Sequence, residues 1–307
     1  MKIIKKIGSI LFCLLPVLLA FGIQLIVSFA GIFLRLFAGI LADPALLNDF
    51  KDANVMLEFL SSSQFLAGIS AVYAVIAALV LGFWYWKRFV PKKQPRRKPS
   101  SLVNPQIFLG LLLLMVGMQY ISTYVVMLLA AVNPGWYNTY QELMESIGFG
   151  DITLILALYS VLIAPISEEL IFRGVTMNYA VKTLPFFLAN ILQAFLFGAF
   201  HANIIQGTYA FVVGLFCGYV CYQGGSIYLS ILFHMMFNIW GTFASDFLSY
   251  SGNSIILHLV IFVGACCFAV IGVLLYQKGL KKRSPMPEAY TNTRNRQDGK
   301  IHSMKDI

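Results

Sequence analysis

The sequence predicts an all-α, polytopic integral membrane helix bundle of about eight transmembrane helices, and three observations predict it. Of the 307 residues 59% are hydrophobic and 11% are charged, with a mean hydropathy of +0.78, far from the balance of a water-soluble globule. Apolar runs of about 20 residues or more, enough to cross a bilayer, recur along the chain. Basic residues collect in alternate connections between those runs.

The runs fall at roughly 7–41, 65–90, 105–132, 152–179, 185–203, 207–223, 226–248 and 254–278. The first follows Lys2, Lys5 and Lys6 in the manner of a signal peptide, but it is too long and lacks a small-residue cleavage site, so a retained helix is expected. Arg35, near its far end, is expected to snorkel toward the headgroups. Between spans three and four, "PGWYNTYQELMESIGF" sets Trp136, Tyr137 and Tyr140 where aromatic rings anchor at a bilayer surface, as an interfacial helix or loop.

Charge placement orients the bundle. Lys87, Arg88, Lys92, Lys93, Arg96, Arg97 and Lys98 occupy the second connection, and a run of lysines and arginines from Lys278 to Lys305 follows the last span. With eight spans these lie on the side of the amino-terminal lysines, which puts both termini in the cytoplasm, in what is expected to be a bacterial cell membrane. The opposite connections carry Asp43, Asp49, Asp52, Glu58, Glu142, Glu145 and Asp151 against one cation, Lys51. The net charge of +9 is therefore topological. It gives no support to a nucleic-acid partner, whereas anionic lipid heads suit the basic linker.

Three regions follow: residues 1–100, two leading helices and the Pro-rich basic linker "PKKQPRRKPS"; 101–280, a six-helix bundle; and 281–307, a polar tail expected to be disordered. The five cysteines, Cys13, Cys217, Cys221, Cys266 and Cys267, all lie in apolar spans and form no disulfide framework. Cys217 and Cys221 share a helix face, and packing is preferred to metal binding for them.

Ionisable groups inside a bilayer are costly and usually functional. Span four carries Glu168, Glu169 and Arg173, span five ends on His201, and span seven carries His234 and Asn238. His258 on span eight has no polar residue one turn away and reads as a packed or interfacial histidine. Residues four apart share a helix face, so Glu169 pairs with Arg173 while Glu168 points about 100° away, free to face a cavity as a general base or acid. At 1.5 Å per residue Glu168, His201 and His234 lie at depths of roughly 14 to 25 Å, so three helices can bring a carboxylate, two imidazoles and an amide together.

A carboxylate and an imidazole that polarise water, with donors facing an oxyanion, are the parts for amide hydrolysis. Glu168, His201 and His234 also match the ligand set of a catalytic zinc site, with Glu169, already claimed by Arg173, the remaining base. No His-Glu-x-x-His helix is present, so metal is not demanded and a metal-free glutamate mechanism stands beside it.

In chain order "EELIFR" fits Glu-Glu-x-x-x-Arg, "FGAFH" fits Phe-x-x-x-His and "HMMFN" fits His-x-x-x-Asn, with "AP" before the glutamates and "GGSIY" before the last histidine. Over about 150–245 the chain resembles the CPBP family, the CAAX proteases and bacteriocin-processing enzymes also called Abi. The resemblance implies an intramembrane protease, with 101–280 as its catalytic bundle. Glu168 would be the catalytic glutamate, aided by His201. His234 and Asn238 would be oxyanion stabilisers or, in the metalloprotease description, metal contacts. Glu169 and Arg173 would support the site, and Phe197 would shape the cavity. Substrates of such a fold arrive through lipid: a lipidated peptide, a leader peptide or a membrane-protein segment. A bacteriocin-immunity or regulatory protein that keeps the fold without cutting is the alternative. Neither substrate nor oligomeric state can be read from the chain.

Overall fold

The computed structural model describes residue 8 and residues 11–90, 102–244 and 254–283, and the described residues are helical with no strand. The amino-terminal lysines, the basic linker and most of the tail lie outside them. After a 3-10 turn at Phe12–Leu14, α1 runs Leu15–Ala42. A single turn, Leu46–Asp49, and α2, Ala53–Leu60, fill the connection to α3, Ser63–Arg88. Next come α4, Pro105–Val132, and α5, Pro134–Ser146. A segmented helix α6, Leu154–Ala180, precedes α7, Phe186–Phe200, and α8, Ile204–Gly224. The last two are α9, Ile227–Phe243, and α10, Ile255–Lys281.

Six of these are long and apolar enough to cross a membrane, and α7 and α9 are shorter apolar helices at the places of two further expected spans. The chain is an integral membrane protein. At 15 and 17 residues, α7 and α9 reach only about 22–26 Å, less than a bilayer's hydrocarbon thickness of about 30 Å. His201 follows the last residue of α7, and His234 and Asn238 lie within α9.

Local chemistry sets the boundaries. Asn104 and Asn133 each cap a helix whose first residue is proline, a position where the missing N–H costs nothing. The aromatic segment between spans three and four is the helix α5. Asn203 accepts from the N–H groups of both Ile205 and Gln206 to start α8, and Gly225, at φ 61°, ends it in the left-handed conformation that suits glycine.

Two apolar clusters meet at the middle of the molecule. One joins α4, α8, α9 and α10 through residues such as Leu111, Met118, Cys217, Phe233 and Tyr276. The other joins α1, α3, α6, α7 and α8 through Leu81, Phe172, Val175, Phe197 and Ala210. Their seam, where α6 faces α8 and α9, holds the ionisable groups. Arg35, expected to snorkel, instead donates from Nε to Phe59 O at 2.8 Å and lays its guanidinium over the rings of Phe59 and Phe65, at 4.7 and 4.3 Å. Aromatic faces are within reach there, and they attract a cation as headgroups would. His258 is held by Tyr124, whose hydroxyl lies 3.2 Å from Nδ1 and donates to His258 O at 2.9 Å.

Candidate active site

The helix that carries the two glutamates is not uniform. Within α6 the α-helical piece Ala164–Glu169 lies between two π-helical segments, Tyr159–Ile163 and Leu170–Thr176. In the first, Ala164 N–H reaches back five residues to Tyr159 O. In that register the next donor is due at Ser160 O, but residue 165 is proline and has none. Asn238 Nδ2, from α9, fills the gap with a hydrogen bond of 2.8 Å to Ser160 O. Asn238 thus ties α9 to α6 through one amide hydrogen and keeps the other free of that contact.

Four residues further on sits the ion pair expected from spacing. Arg173 Nη1 meets Glu169 Oε1 at 2.8 Å, and both side chains are 0% exposed. A buried charge needs more than one partner to offset its desolvation, and Arg173 has them. Its Nη2 donates to Gly214 O at 2.9 Å, and its guanidinium lies over the Phe197 ring at 4.6 Å. Gly214 O also accepts from Gln193 at 3.0 Å, which fixes α7, α8 and α6 to one another at this point.

His234 stands between the two carboxylates. Its Nδ1 lies 2.9 Å from Glu169 Oε1 and its Nε2 lies 3.6 Å from Glu168 Oε2. A carboxylate engaged by arginine only accepts, so the hydrogen belongs on Nδ1 and Nε2 presents a lone pair toward Glu168. The 3.6 Å separation is too long for a direct hydrogen bond, so the two groups are neighbours that do not bond to each other. The Glu168 side chain is 17% exposed, so of the two adjacent carboxylates one is neutralised and sealed while the other is accessible.

His201 is positioned by the end of α7. Its Nδ1 is 2.9 Å from Phe197 O, an acceptor, so this imidazole also holds its hydrogen on Nδ1 and offers Nε2. The Phe197 ring meets His201 and His234 edge-on, with centroids 4.9 and 5.7 Å away, and links the two histidines. The residue after His201, Ala202, has φ 52°, a left-handed conformation rare outside glycine and a sign of strain held in place by the surrounding fold. Of the expected residues, Glu168, Glu169, Arg173 and His234 form one connected cluster. His201 joins it through Phe197, and Asn238 is attached to the backbone of α6 at Ser160.

The metal reading can be tested on these donors. Among the described residues the group whose ligand atoms lie within 4.8 Å of one another is Glu169, Cys217 and His234, not Glu168, His201 and His234. That shape resembles a metal site, but its chemistry does not fit a divalent cation. Glu169 Oε1 already receives Arg173 and His234, and an ion bound there would sit beside a buried guanidinium. Glu168 and His234 alone offer two ligands where a catalytic zinc uses three.

Reading the sequence missed Gln193 and Gly214 at the site, because an amide and a glycine in apolar helices carry no functional signature, and it assigned Cys217, which lies beside Glu169 and His234, to packing. Burial raises the pKa of Tyr140 on α5, whose ring meets that of Tyr209 with centroids 6.4 Å apart.

Residues 150–240 match the family model described as Rce1-like, type II CAAX prenyl endopeptidase. No curated protein and no solved structure matches the chain significantly. The matched stretch takes in Glu168, Glu169, Arg173, His201, His234 and Asn238, and the match is consistent with the CPBP intramembrane protease family.

Proposed function

We propose that this chain is an intramembrane endopeptidase in which Glu168 activates water against a peptide bond presented from the bilayer. The family match supports an endopeptidase in general. The observation that carries the mechanism is the unequal treatment of two neighbours: Glu169 is 0% exposed and paired, while Glu168 is 17% exposed and faces an imidazole nitrogen at 3.6 Å.

A water between Glu168 Oε2 and His234 Nε2 donates one O–H to each, which turns its oxygen lone pair toward the substrate carbonyl. Its oxygen bonds to the carbonyl carbon, its proton passes to Glu168, and the carbonyl electron pair moves to oxygen. Collapse of that intermediate breaks the C–N bond, and the proton on Glu168 goes to the leaving nitrogen. A carboxylic acid and an amine result, and Glu168 is regenerated. General-base assistance of this kind is worth about 10²–10⁴-fold. Glu169 and Arg173 hold His234 in its tautomer. The second amide hydrogen of Asn238 is available to the oxyanion, and His201 Nε2 helps orient the substrate. The donor set described above favours this metal-free route over zinc.

The substrate we infer is a lipidated peptide, a leader-type peptide or a membrane-protein segment, since a carboxylate this deep is reached most directly from lipid. The description of the matched family, prenyl endopeptidase, favours the first of these. The basic connections support a reading with both termini in the cytoplasm. The test is comparative peptidomics of cells expressing the wild-type chain or Glu168→Ala. Peptides that appear only with the wild type identify activity and substrate together. Identical peptide sets, with both proteins folded in the membrane, would sink the reading in favour of a non-cutting immunity or regulatory protein.

A further inference from the structure

Gln119 lies on α4, outside the residues that the family model covers, yet it holds the part of α9 that carries the site. It follows the apolar run "LLLLMVGM", is only 8% exposed, and donates from Nε2 to Phe237 O at 2.5 Å. A carbonyl only accepts, so the amide nitrogen is the atom that faces it. Phe237 O belongs to the peptide unit that leads into Asn238, on the turn of α9 between His234 and Asn238. Inside a helix that oxygen already has its ladder partner four residues on. The bond from Gln119 is therefore a second one, which satisfies the buried amide and adds nothing to the ladder of α9. Methionine or leucine would fill the same place without the cost of burying an amide, and one side-chain hydrogen bond in lipid adds little affinity between helices.

Asn238 is thus held at both ends. Its peptide is tied to α4 through Gln119, and its side chain is tied to α6 by the 2.8 Å bond to Ser160 O. One turn further along α9, Thr242 Oγ1 lies 3.4 Å from Ser160 Oγ and repeats the contact with α6. With backbone and side chain both fixed, the second amide hydrogen of Asn238 has one direction. We propose that Gln119 is a positioning residue for the reaction: by fixing the peptide before Asn238, it aims that hydrogen at the oxygen of the scissile carbonyl as the oxygen becomes negative. A donor helps only where charge develops, and an error of about 1 Å in its place can cost about 10²-fold. Gln119 itself touches no reacting atom. The family motifs do not reach α4, so a helix outside the matched stretch then tunes the site within it.

This inference rests on the reading of Glu168 as the base and Asn238 as the oxyanion donor, and the experiment separates them. The Glu168-dependent peptide found by peptidomics is synthesised with a fluorophore and quencher and offered in liposomes to the purified full-length chain. The chain is tested as wild type, Glu168→Ala, Asn238→Ala, Gln119→Met and the double variant Gln119→Met with Asn238→Ala, with rates referred to folded protein. Asn238→Ala is expected to lower kcat by about 10²-fold. Gln119→Met should lower it by about 10-fold with KM nearly unchanged. Gln119→Asn, which keeps the amide but withdraws it by one methylene, should do the same and carries the test if the methionine variant does not fold. The double variant decides: because Gln119 acts through Asn238, adding Gln119→Met to Asn238→Ala should change kcat by less than about twofold. A further 10-fold loss in that background overturns the proposal by making Gln119 merely structural. A wild-type kcat in either Gln119 variant, or in Asn238→Ala, overturns it as well while leaving Glu168 in place. Absence of any Glu168-dependent peptide removes both readings.

Discussion

The α4–α10 pair and the α6–α8–α9 seam solve the same problem, close helix packing without water, by opposite means. Between α4 and α10 backbones touch. A Cβ on Gly110 would lie 2.5 Å from Tyr276 N, and one on Gly272 would lie 2.5 Å from Leu114 N. Gly117 against Ala265 and Ala269, and Gly279 against Ile107, repeat the pattern along the pair. In lipid, where apolar surface gains nothing from burial against another helix, such close contact is the main source of affinity. At the seam, glycines do something else. A Cβ on Gly214 would press on Arg173 Nη2 and Phe197, and one on Gly218 would meet Asn190 and Gln193. Here the missing side chain makes room for polar groups that reach the α8 backbone. The first region is a structural clamp, and the second is a charged site held closed by its neighbours.

The sharpest way to break that contrast is to change the accessible carboxylate. Glu168→Gln should reduce peptide cleavage by about 10²–10⁴-fold, through loss of the general base, while the melting temperature in detergent stays within a degree or two of wild type. Full activity in that variant would dissolve the distinction. Arg173→Ala comes next. It strands Glu169 in an interior with no counter-ion and should cost about 3–5 kcal/mol, read as a large drop in the yield of folded protein in membranes. A normal yield would mean that the ion pair holds little together.

The clamp should respond differently. Gly110→Val forces the α4 and α10 backbones apart and should cost about 1–3 kcal/mol by overpacking, measured as a lowered melting temperature, while cleavage per folded molecule remains near wild type. Loss of turnover out of proportion to folded protein would couple the two regions. The smallest effect is expected from chelator, because the donors at the seam do not form a zinc site: activity after extended dialysis against EDTA should stay within twofold. Loss of activity that zinc restores would overturn the donor argument.

Much of this contrast was legible in the sequence, and the reasons are physical. Length and hydropathy located the six long apolar helices and the two shorter ones, since a bilayer imposes a run length that few other environments require. The Glu169–Arg173 pair followed from helical spacing alone, because four residues bring side chains onto one face whether or not a π segment follows. Partners across helices were harder. Nothing in the spacing told which histidine would face Glu168, and the structure has His234 there while His201 is turned to the carbonyl of Phe197. Asn238 was read as an oxyanion donor, yet its contact with Ser160 O depends on a π register and on the missing N–H of Pro165, neither of which has a periodicity signal.

The central claim is that adjacent glutamates divide the labour, Glu168 for chemistry and Glu169 for architecture. The most direct test measures cleavage rate and thermal stability together for Glu168→Gln and Glu169→Gln in the same lipid. The account predicts opposite profiles: Glu168→Gln stable and inactive, Glu169→Gln strongly destabilised because Arg173 loses its counter-charge. A stable, inactive Glu169→Gln beside an active Glu168→Gln would contradict it.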